Sequence, residues 1–96
     1  MIKSFKSRCA EDIFNHDNSK DSRKLPKQLW ENAAEKLDMI HAAHTIDDLK
    51  IPPGNNLKRL QGNFADCWSI RINNQWRTIF RWNEGNAEDV AICDYH

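Results

Sequence analysis

The chain has 96 residues, 14 basic and 14 acidic side chains, and a composition that is 40% apolar and 29% charged. This length fits one compact domain over residues 1–96, and so ordinary a composition excludes collagen-like and wholly disordered chains. The longest apolar run, residues 90–93, is far shorter than the roughly 18 residues of a membrane span, and no secretory signal follows Met1. We therefore expect a cytoplasmic protein without a membrane segment.

The first half of the chain is predicted to be mostly helical. In residues 1–6 side chains of different kinds alternate along the chain, which predicts a short strand. Residues 11–16 favour a turn or two of helix, and the polar stretch 18–24 favours a loop. Apolar side chains then recur every three or four positions over residues 26–43, which predicts the main helix. The turn formers of residues 51–56 end the helical half and begin the sheet.

The second half predicts a β-hairpin. Two stretches in which apolar and polar positions alternate flank residues 73–75, and a loop of these three residues gives one coherent apolar face. It sets Trp68 opposite Phe80 and Ile70 opposite Thr78, whereas a two-residue loop would mix the faces. A last strand is predicted nearby, at residues 89–93.

The three cysteines, Cys9, Cys67 and Cys93, form no C-x-x-C pair. An odd number without this spacing favours a reducing compartment over a disulfide framework, and it argues against a zinc site. Because Cys67 and Cys93 fall on predicted strands, we expect both to be buried as small apolar groups.

Positive charge is concentrated in the middle of the chain. Residues 50–81 carry 6 basic and 1 acidic side chains, a net charge of +5, whereas residues 82–96 carry 0 and 4. Basic residues interleaved with aromatic ones are typical of a nucleic-acid surface, although they can equally pair with acidic segments on either side. The basic residues are Lys50, Lys58, Arg59, Arg71, Arg77 and Arg81.

The predicted hairpin register brings two arginines together. Arg71 falls directly opposite Arg77, and like charges in this position destabilise a strand pair. An anion is therefore expected between them. It can be a carboxylate of the chain, Asp94 or Asp66, or a phosphate of a ligand, since the planar guanidinium matches phosphate geometry.

The chain ends in Asp94, Tyr95 and His96, three side chains that can transfer or orient protons. Cleavage of RNA without a metal requires activation of the 2′-hydroxyl, cations near the transition state and protonation of the leaving oxygen. The terminal residues and the nearby arginines can supply these functions. The alternative is that the last residues are simply a frayed terminus.

Several motifs together resemble the HigB branch of the RelE/ParE toxin superfamily. The resemblance covers nearly the whole chain and implies an α+β fold, with N-terminal helices packed on a mainly antiparallel twisted sheet. The motifs are Pro-Pro-Gly-Asn-Asn-Leu at 52–57, Leu-Gln-Gly at 60–62, Trp-Ser-Ile-Arg-Ile-Asn at 68–73, Gln-Trp-Arg at 75–77 and Asp-Tyr-His at 94–96.

The resemblance also implies a function. Such a chain is the toxin of a type II toxin–antitoxin pair and cuts mRNA on the translating ribosome, with no metal or organic cofactor. A HigA-like antitoxin neutralises it, and the toxin–antitoxin complex binds operator DNA through the antitoxin. Alternatives within the superfamily are a ParE-like inhibitor of DNA gyrase and a catalytically weak domain that only binds its antitoxin.

Site roles follow from the matched positions. The resemblance implies catalytic roles for Asp94, Tyr95, His96 and Arg77. Arg71 matches a position that is basic in several superfamily members, and we expect binding of RNA phosphates by Arg71 and by the basic residues Lys58, Arg59 and Arg81. Some family members have a catalytic histidine where this chain has Lys58, and lysine stays charged near neutral pH. Lys58 is therefore expected to bind phosphate, which leaves His96 as the main candidate for proton transfer.

Overall fold

The computed structural model describes residues 1–62 and 66–94. It confirms the α+β prediction, because two helices pack on one face of a four-stranded antiparallel sheet whose strands follow in chain order. None of the helices in these residues is long and apolar enough to cross a membrane. The elements are α1 (Arg8–Phe14), α2 (Trp30–Ala42), β1 (Lys58–Arg59), β2 (Cys67–Arg71), β3 (Trp76–Asn83) and β4 (Asn86–Asp94).

The core lies between the helices and the sheet. Leu37 and Ile40 of α2, spaced three residues apart, are fully buried against Ile70 of β2, Phe80 of β3 and Val90 of β4. The spacing of three and four residues in α2 therefore predicts the buried helix face correctly. The four tryptophans pack at the margin of this core and are only partly buried.

Both helices begin at other residues than predicted. The hydroxyl of Ser7 accepts a hydrogen bond from the backbone N–H of Ala10 at 3.1 Å, so α1 begins at Arg8 and not at residue 11. The main helix begins later, because Lys27–Leu29 form a 3₁₀ turn. The indole N–H of Trp30 donates to the carbonyl of Leu25 at 2.8 Å and fixes this entry to α2.

The predicted N-terminal strand is wrong. Its β-pairing with β4 consists of two isolated parallel bridges, between Ile2 and Ala87 and between Phe5 and Val90. Between these bridges Asp89 has a left-handed φ of 53°, and the register of β4 shifts in the same region. A continuous ladder cannot run past this bulge, so the N-terminal segment lies along β4 without forming a strand.

The hairpin register is confirmed. Trp68 pairs with Phe80, Ile70 with Thr78 and Arg71 with Arg77. The loop closes because the side-chain oxygen of Asn73 accepts hydrogen bonds from the backbone N–H groups two and three residues later, at 2.9 and 2.8 Å. This local turn fixes which side chains share a face of the sheet.

Some elements are absent from the sequence prediction. β1 has only two residues, too few to show any alternation, and it pairs with β2. The predicted loop at 18–24 ends in a 3₁₀ turn, Ser22–Lys24, and a further 3₁₀ segment, Ile46–Lys50, follows α2. β4 is also longer than the predicted residues 89–93, because its first residues pair with β3 around the turn at Gly85.

Candidate functional site

The face of the sheet turned away from the helices, here called the open face, carries three rows of side chains. Successive residues of a strand point to opposite faces, so the strand pairing decides which side chains share a row. The first row is Arg71, Arg77 and Cys93; the second is Lys58, Ser69, Ile79 and Ala91; the third is Cys67, Arg81 and Glu88.

Arg77 is held firmly within the first row. Its side chain is only 8% exposed, its Nε donates to the hydroxyl of Ser69 at 2.9 Å, and one Nη donates to the backbone carbonyl of Asn56 at 2.8 Å. Ser69 is itself fully buried, and Asn56 has a left-handed φ of 47° that ends the 3₁₀ turn Pro53–Asn55. Arg77 therefore fixes this turn to the sheet while keeping a positive charge on the open face.

Arg71 lies opposite Arg77, as predicted, but the two guanidinium groups hydrogen-bond in different directions. Arg71 donates to the side-chain oxygen of Asn74, in the hairpin loop. Asp66, one of the two carboxylates expected between these arginines, lies instead beside Arg59, with 3.5 Å between the charged atoms. That expectation was wrong for Asp66, because the pairing of β1 with β2 brings Arg59 closer to it.

Asp94 ends β4, opposite Trp76, whereas its neighbour in the strand, Cys93, lies opposite Arg77. Asp94 is exposed and accepts a hydrogen bond from the side-chain amide of Gln75 at 3.0 Å. The hairpin loop thus orients this carboxylate. Tyr95 and His96 lie outside the described residues, and their roles remain predictions.

The predicted phosphate-binding set divides between two faces. Lys58 and Arg59 are both exposed, but being neighbours in β1 they lie opposite Ser69 and Trp68, respectively. Lys58 therefore belongs to the open face, whereas the Arg59 guanidinium lies 5.7 Å from the centroid of the Trp68 ring. Three of the predicted phosphate ligands remain on the open face with Arg77: Lys58, Arg71 and Arg81.

Two of the predicted phosphate ligands form ion pairs with carboxylates of the described residues. Arg59 and Asp66 are 3.5 Å apart, and Arg81 and Asp89 are 4.0 Å apart. All four side chains are more than half exposed, and such pairs contribute about 0 to 1 kcal/mol each. A phosphate can therefore compete for either arginine at little cost in free energy.

A cavity of about 560 Å³ opens on the same face, between the first and third rows. Ile79 and Ala91 line its middle, with Cys67 and Cys93 at its two ends. Both cysteines are half-buried there, which corrects the prediction that they are buried among core residues. Burial raises the pKa of the Cys93 thiol above its ordinary value, and the charge of Lys6 partly opposes this shift.

Sequence reasoning missed the residues that hold Arg77 and those that line this cavity. Ser69 had one available signal, a small polar residue on the same alternation phase as Arg71. The cavity had no signal in the sequence, because the residues that line it come together only through the register of β4, which contains a bulge. Within residues 1–62 and 66–94, no three His, Cys, Asp or Glu side chains are grouped so as to hold a metal ion.

Comparison with known protein families gives a match over residues 3–96, to the model described as the RelE-like toxin of the type II toxin–antitoxin system HigB. Toxin HigB-1 of Vibrio cholerae is 38% identical over 92 residues, which cover 96% of this chain and 95% of that protein. Endoribonuclease HigB of Proteus vulgaris is 29% identical over 96 residues and the full length of both chains.

Solved structures show the same fold at low sequence identity. The YoeB–YefM complex from Staphylococcus aureus contains a chain that matches with a TM-score of 0.61 and 18% identity, covering 100% of this chain and 98% of that one. YafQ from E. coli matches with a TM-score of 0.57 and 12% identity, covering 98% and 93%. At these identities the likeness concerns the fold alone.

Proposed function

This chain belongs to the RelE-like toxins of the HigB type, and from that premise we propose that it is an endoribonuclease that cuts mRNA on the translating ribosome. The observation that carries the proposal is the open face of the sheet, where Lys58, Arg71, Arg77 and Arg81 lie on one side of a sheet whose last strand ends at Asp94. Family membership and the endoribonuclease name of the Proteus relative support it.

In the proposed mechanism the arginines and Lys58 bind the scissile phosphate and stabilise the negative charge that grows on it. Arg77 is suited to this because Ser69 and Asn56 fix its position before substrate arrives, so little reorganisation is needed during the reaction. Arg71 and Lys58 are more exposed and can close on the phosphate. These cations make the phosphate a better electrophile for the 2′-hydroxyl.

Proton transfer is assigned to the end of the chain. We propose His96 as general acid or base, because only histidine changes charge near neutral pH without a shifted pKa. Asp94 and Tyr95 orient it or assist the transfer. The 2′-oxygen attacks the phosphorus as it loses its proton, and the bond to the 5′-oxygen breaks as that oxygen gains one. This scheme uses no metal ion.

The test maps mRNA 5′ ends after brief expression of the untagged protein without its antitoxin. New ends inside translated frames are expected with the wild type and not with His96→Ala at the same protein level. His44→Ala, which removes an exposed histidine near the end of α2, is the matched control and should cut like the wild type. Purified protein should cut mRNA on programmed ribosomes and leave the same mRNA intact without them.

Two results would reject this proposal in different ways. Arrested growth without new mRNA ends would point to a ParE-like action on DNA gyrase, and DNA-damage signalling would then be measured. Unaffected growth would indicate a domain that only binds its antitoxin.

We propose a HigA-like protein as the antitoxin of this chain, with the toxin–antitoxin complex contacting operator DNA through the antitoxin. Co-expression of this partner should restore growth.

A further inference from the structure

The turn motif of residues 52–57 is bonded to α2 on one side and to the sheet on the other. Residues 52–54 and 56 are exposed, whereas Asn55 is fully buried. A buried side-chain amide destabilises the fold unless its oxygen and nitrogen find hydrogen-bond partners. Asn55 is therefore the polar side chain of this motif whose surroundings fix the position of the turn.

The side-chain amide of Asn55 has partners for both its oxygen and its nitrogen. The oxygen accepts a hydrogen bond from the ammonium group of Lys36 in α2 at 2.6 Å. The nitrogen donates to the backbone carbonyl of Leu49 at 3.2 Å and lies 3.7 Å from the sulfur of Met39. Leu49 belongs to the 3₁₀ segment that follows α2. One buried side chain thus joins the turn to the helix and to the segment after it.

The residue after Asn55 is a direct partner of Arg77. The backbone carbonyl of Asn56 accepts a hydrogen bond from an Nη of Arg77 at 2.8 Å. The backbone N–H groups of Asn55 and Asn56 donate to the carbonyls of residues 52 and 53, at 3.0 Å each, which closes the turn. Because the two asparagines belong to one closed turn, a displacement of Asn55 also moves the carbonyl to which Arg77 donates.

We propose that Asn55 is a positioning residue for RNA cleavage, which holds the Asn56 carbonyl where Arg77 donates to it. The inference rests on the proposed function, since it takes Arg77 to stabilise negative charge in the transition state. Lys36 supports Asn55 from α2, so the helix layer helps to place a cation of the sheet. Asn55 is buried and acts through Arg77, not on the substrate. Such a cation is most effective when its position is fixed before the reaction.

The first measurement does not depend on cleavage. NMR follows hydrogen exchange of the Arg77 Nε–H, whose signal is identified by its absence in Arg77→Lys. The bonds of this guanidinium to Ser69 and Asn56 should slow its exchange. We expect Asn55→Ala to speed the exchange about tenfold, because the turn loses two hydrogen bonds. Ile13→Val removes a methyl group from the core at α1 and should change it by less than about twofold. An unchanged rate in Asn55→Ala would overturn the inference.

A second variant tests the same link if Asn55→Ala does not fold. Lys36→Met keeps a long apolar side chain at a half-buried position and removes the hydrogen bond to Asn55. We expect it to speed exchange of the Arg77 Nε–H about threefold, because one of the two bonds to the turn remains. Lys20→Met, at an exposed lysine outside α2, should exchange like the wild type. Wild-type exchange in Lys36→Met would contradict the proposed link from α2.

Single-turnover cleavage on programmed ribosomes then tests the role in the reaction. We expect Asn55→Ala to lower the maximal rate about tenfold, since Arg77 acts mainly in the transition state. The protein concentration that gives half of this rate should change by less than about twofold. In the Arg77→Lys background, Asn55→Ala should lower the rate no further. A residue that only supports the fold would lower the rate by the same factor in both backgrounds, and that result would overturn the inference.

The two measurements separate this inference from the proposed function. Faster exchange together with wild-type cleavage would show that Asn55 holds Arg77 for the fold alone, and the inference would be wrong. If the wild type cuts no mRNA on ribosomes, the proposed function fails. The exchange rates then still decide whether Asn55 holds Arg77 in place.

Discussion

Arg77 shows how one residue can combine structural and chemical roles. Its position opposite Arg71 could be worked out from alternation, but its burial and its hydrogen bonds could not. A buried guanidinium requires acceptors, and here a strand serine and a turn carbonyl supply two of them. The residue that is proposed to stabilise the transition state therefore also holds the turn before β1 against the sheet.

Removal of the Ser69 hydroxyl should weaken the fold through Arg77. We expect Ser69→Ala to lower the free energy of unfolding by about 2 kcal/mol, because a hydrogen bond to a buried charged group is lost. Urea denaturation measures the change. Ser4→Ala removes an exposed serine that accepts one backbone hydrogen bond and should cost less than about 0.5 kcal/mol. Equal losses in both variants would mean that Ser69 does not support Arg77.

Thr78 lies at the centre of β3 and is fully buried. Its hydroxyl is the buried side-chain oxygen without a hydrogen-bond partner among the described residues. Thr78→Val keeps the shape and removes this oxygen, so we expect the free energy of unfolding to rise by about 1 kcal/mol. Thermal unfolding of the variant beside the wild type measures it, and a lower melting temperature would show that the hydroxyl has a partner in solution.

At the scale of elements, short caps decide where the chain turns from helix to sheet. After α2, the 3₁₀ segment Ile46–Lys50 begins with a capping box in which Thr45 and Asp48 bond each other's backbone. Asp48 also accepts a hydrogen bond from the backbone N–H of His44 at 2.9 Å. These backbone hydrogen bonds lower the pKa of the Asp48 carboxyl below its ordinary value.

This shift predicts a pH dependence of stability. A lowered pKa in the folded state means that the carboxylate of Asp48 stabilises the fold above the unfolded value of about 4, and that this contribution disappears as the pH falls through the lowered value. Asp48→Ala should therefore destabilise the protein more at pH 7 than in strong acid. Asp47→Ala, which removes an exposed ion pair with Lys50, is the control, and it should show a smaller change with pH. If the free energy of unfolding of the two variants changed with pH in the same way, the capping role of Asp48 would be excluded.

At the scale of the whole molecule, a net charge of zero conceals a separation of charge. The open face presents Lys58, Arg71 and Arg81, with Glu88 beside Arg81, whereas α2 exposes Glu31, Glu35 and Asp38 on the other side of the sheet. Formal charge alone therefore says little about partners. The arrangement in space provides a local positive field suited to a polyanion.

Salt dependence tests this separation and rests on the proposed RNA substrate. With His96→Ala as the background, the logarithm of the affinity for single-stranded RNA should fall linearly with the logarithm of salt concentration. Adding Lys58→Ala should reduce the slope by about 0.7, the value for one phosphate contact on a single strand. Lys20→Ala, an exposed lysine outside the open face, should leave the slope unchanged. Equal changes of slope for Lys58→Ala and Lys20→Ala would show that RNA binding does not distinguish the open face from the rest of the surface.

The sequence by itself determined the long helix and the hairpin register, because hydrophobic periodicity and turn chemistry are local and repeat along the chain. It also determined that Arg71 faces Arg77. The class of fold was implied by the motifs that resemble a known family. Only the tertiary structure decided how these arginines are bonded, that β1 exists, that the N-terminal segment forms no strand, and that a cavity opens between Cys67 and Cys93. These features depend on which residues meet across strands distant in sequence, and the bulge at Asp89 shifts that register in a way that no local pattern specifies.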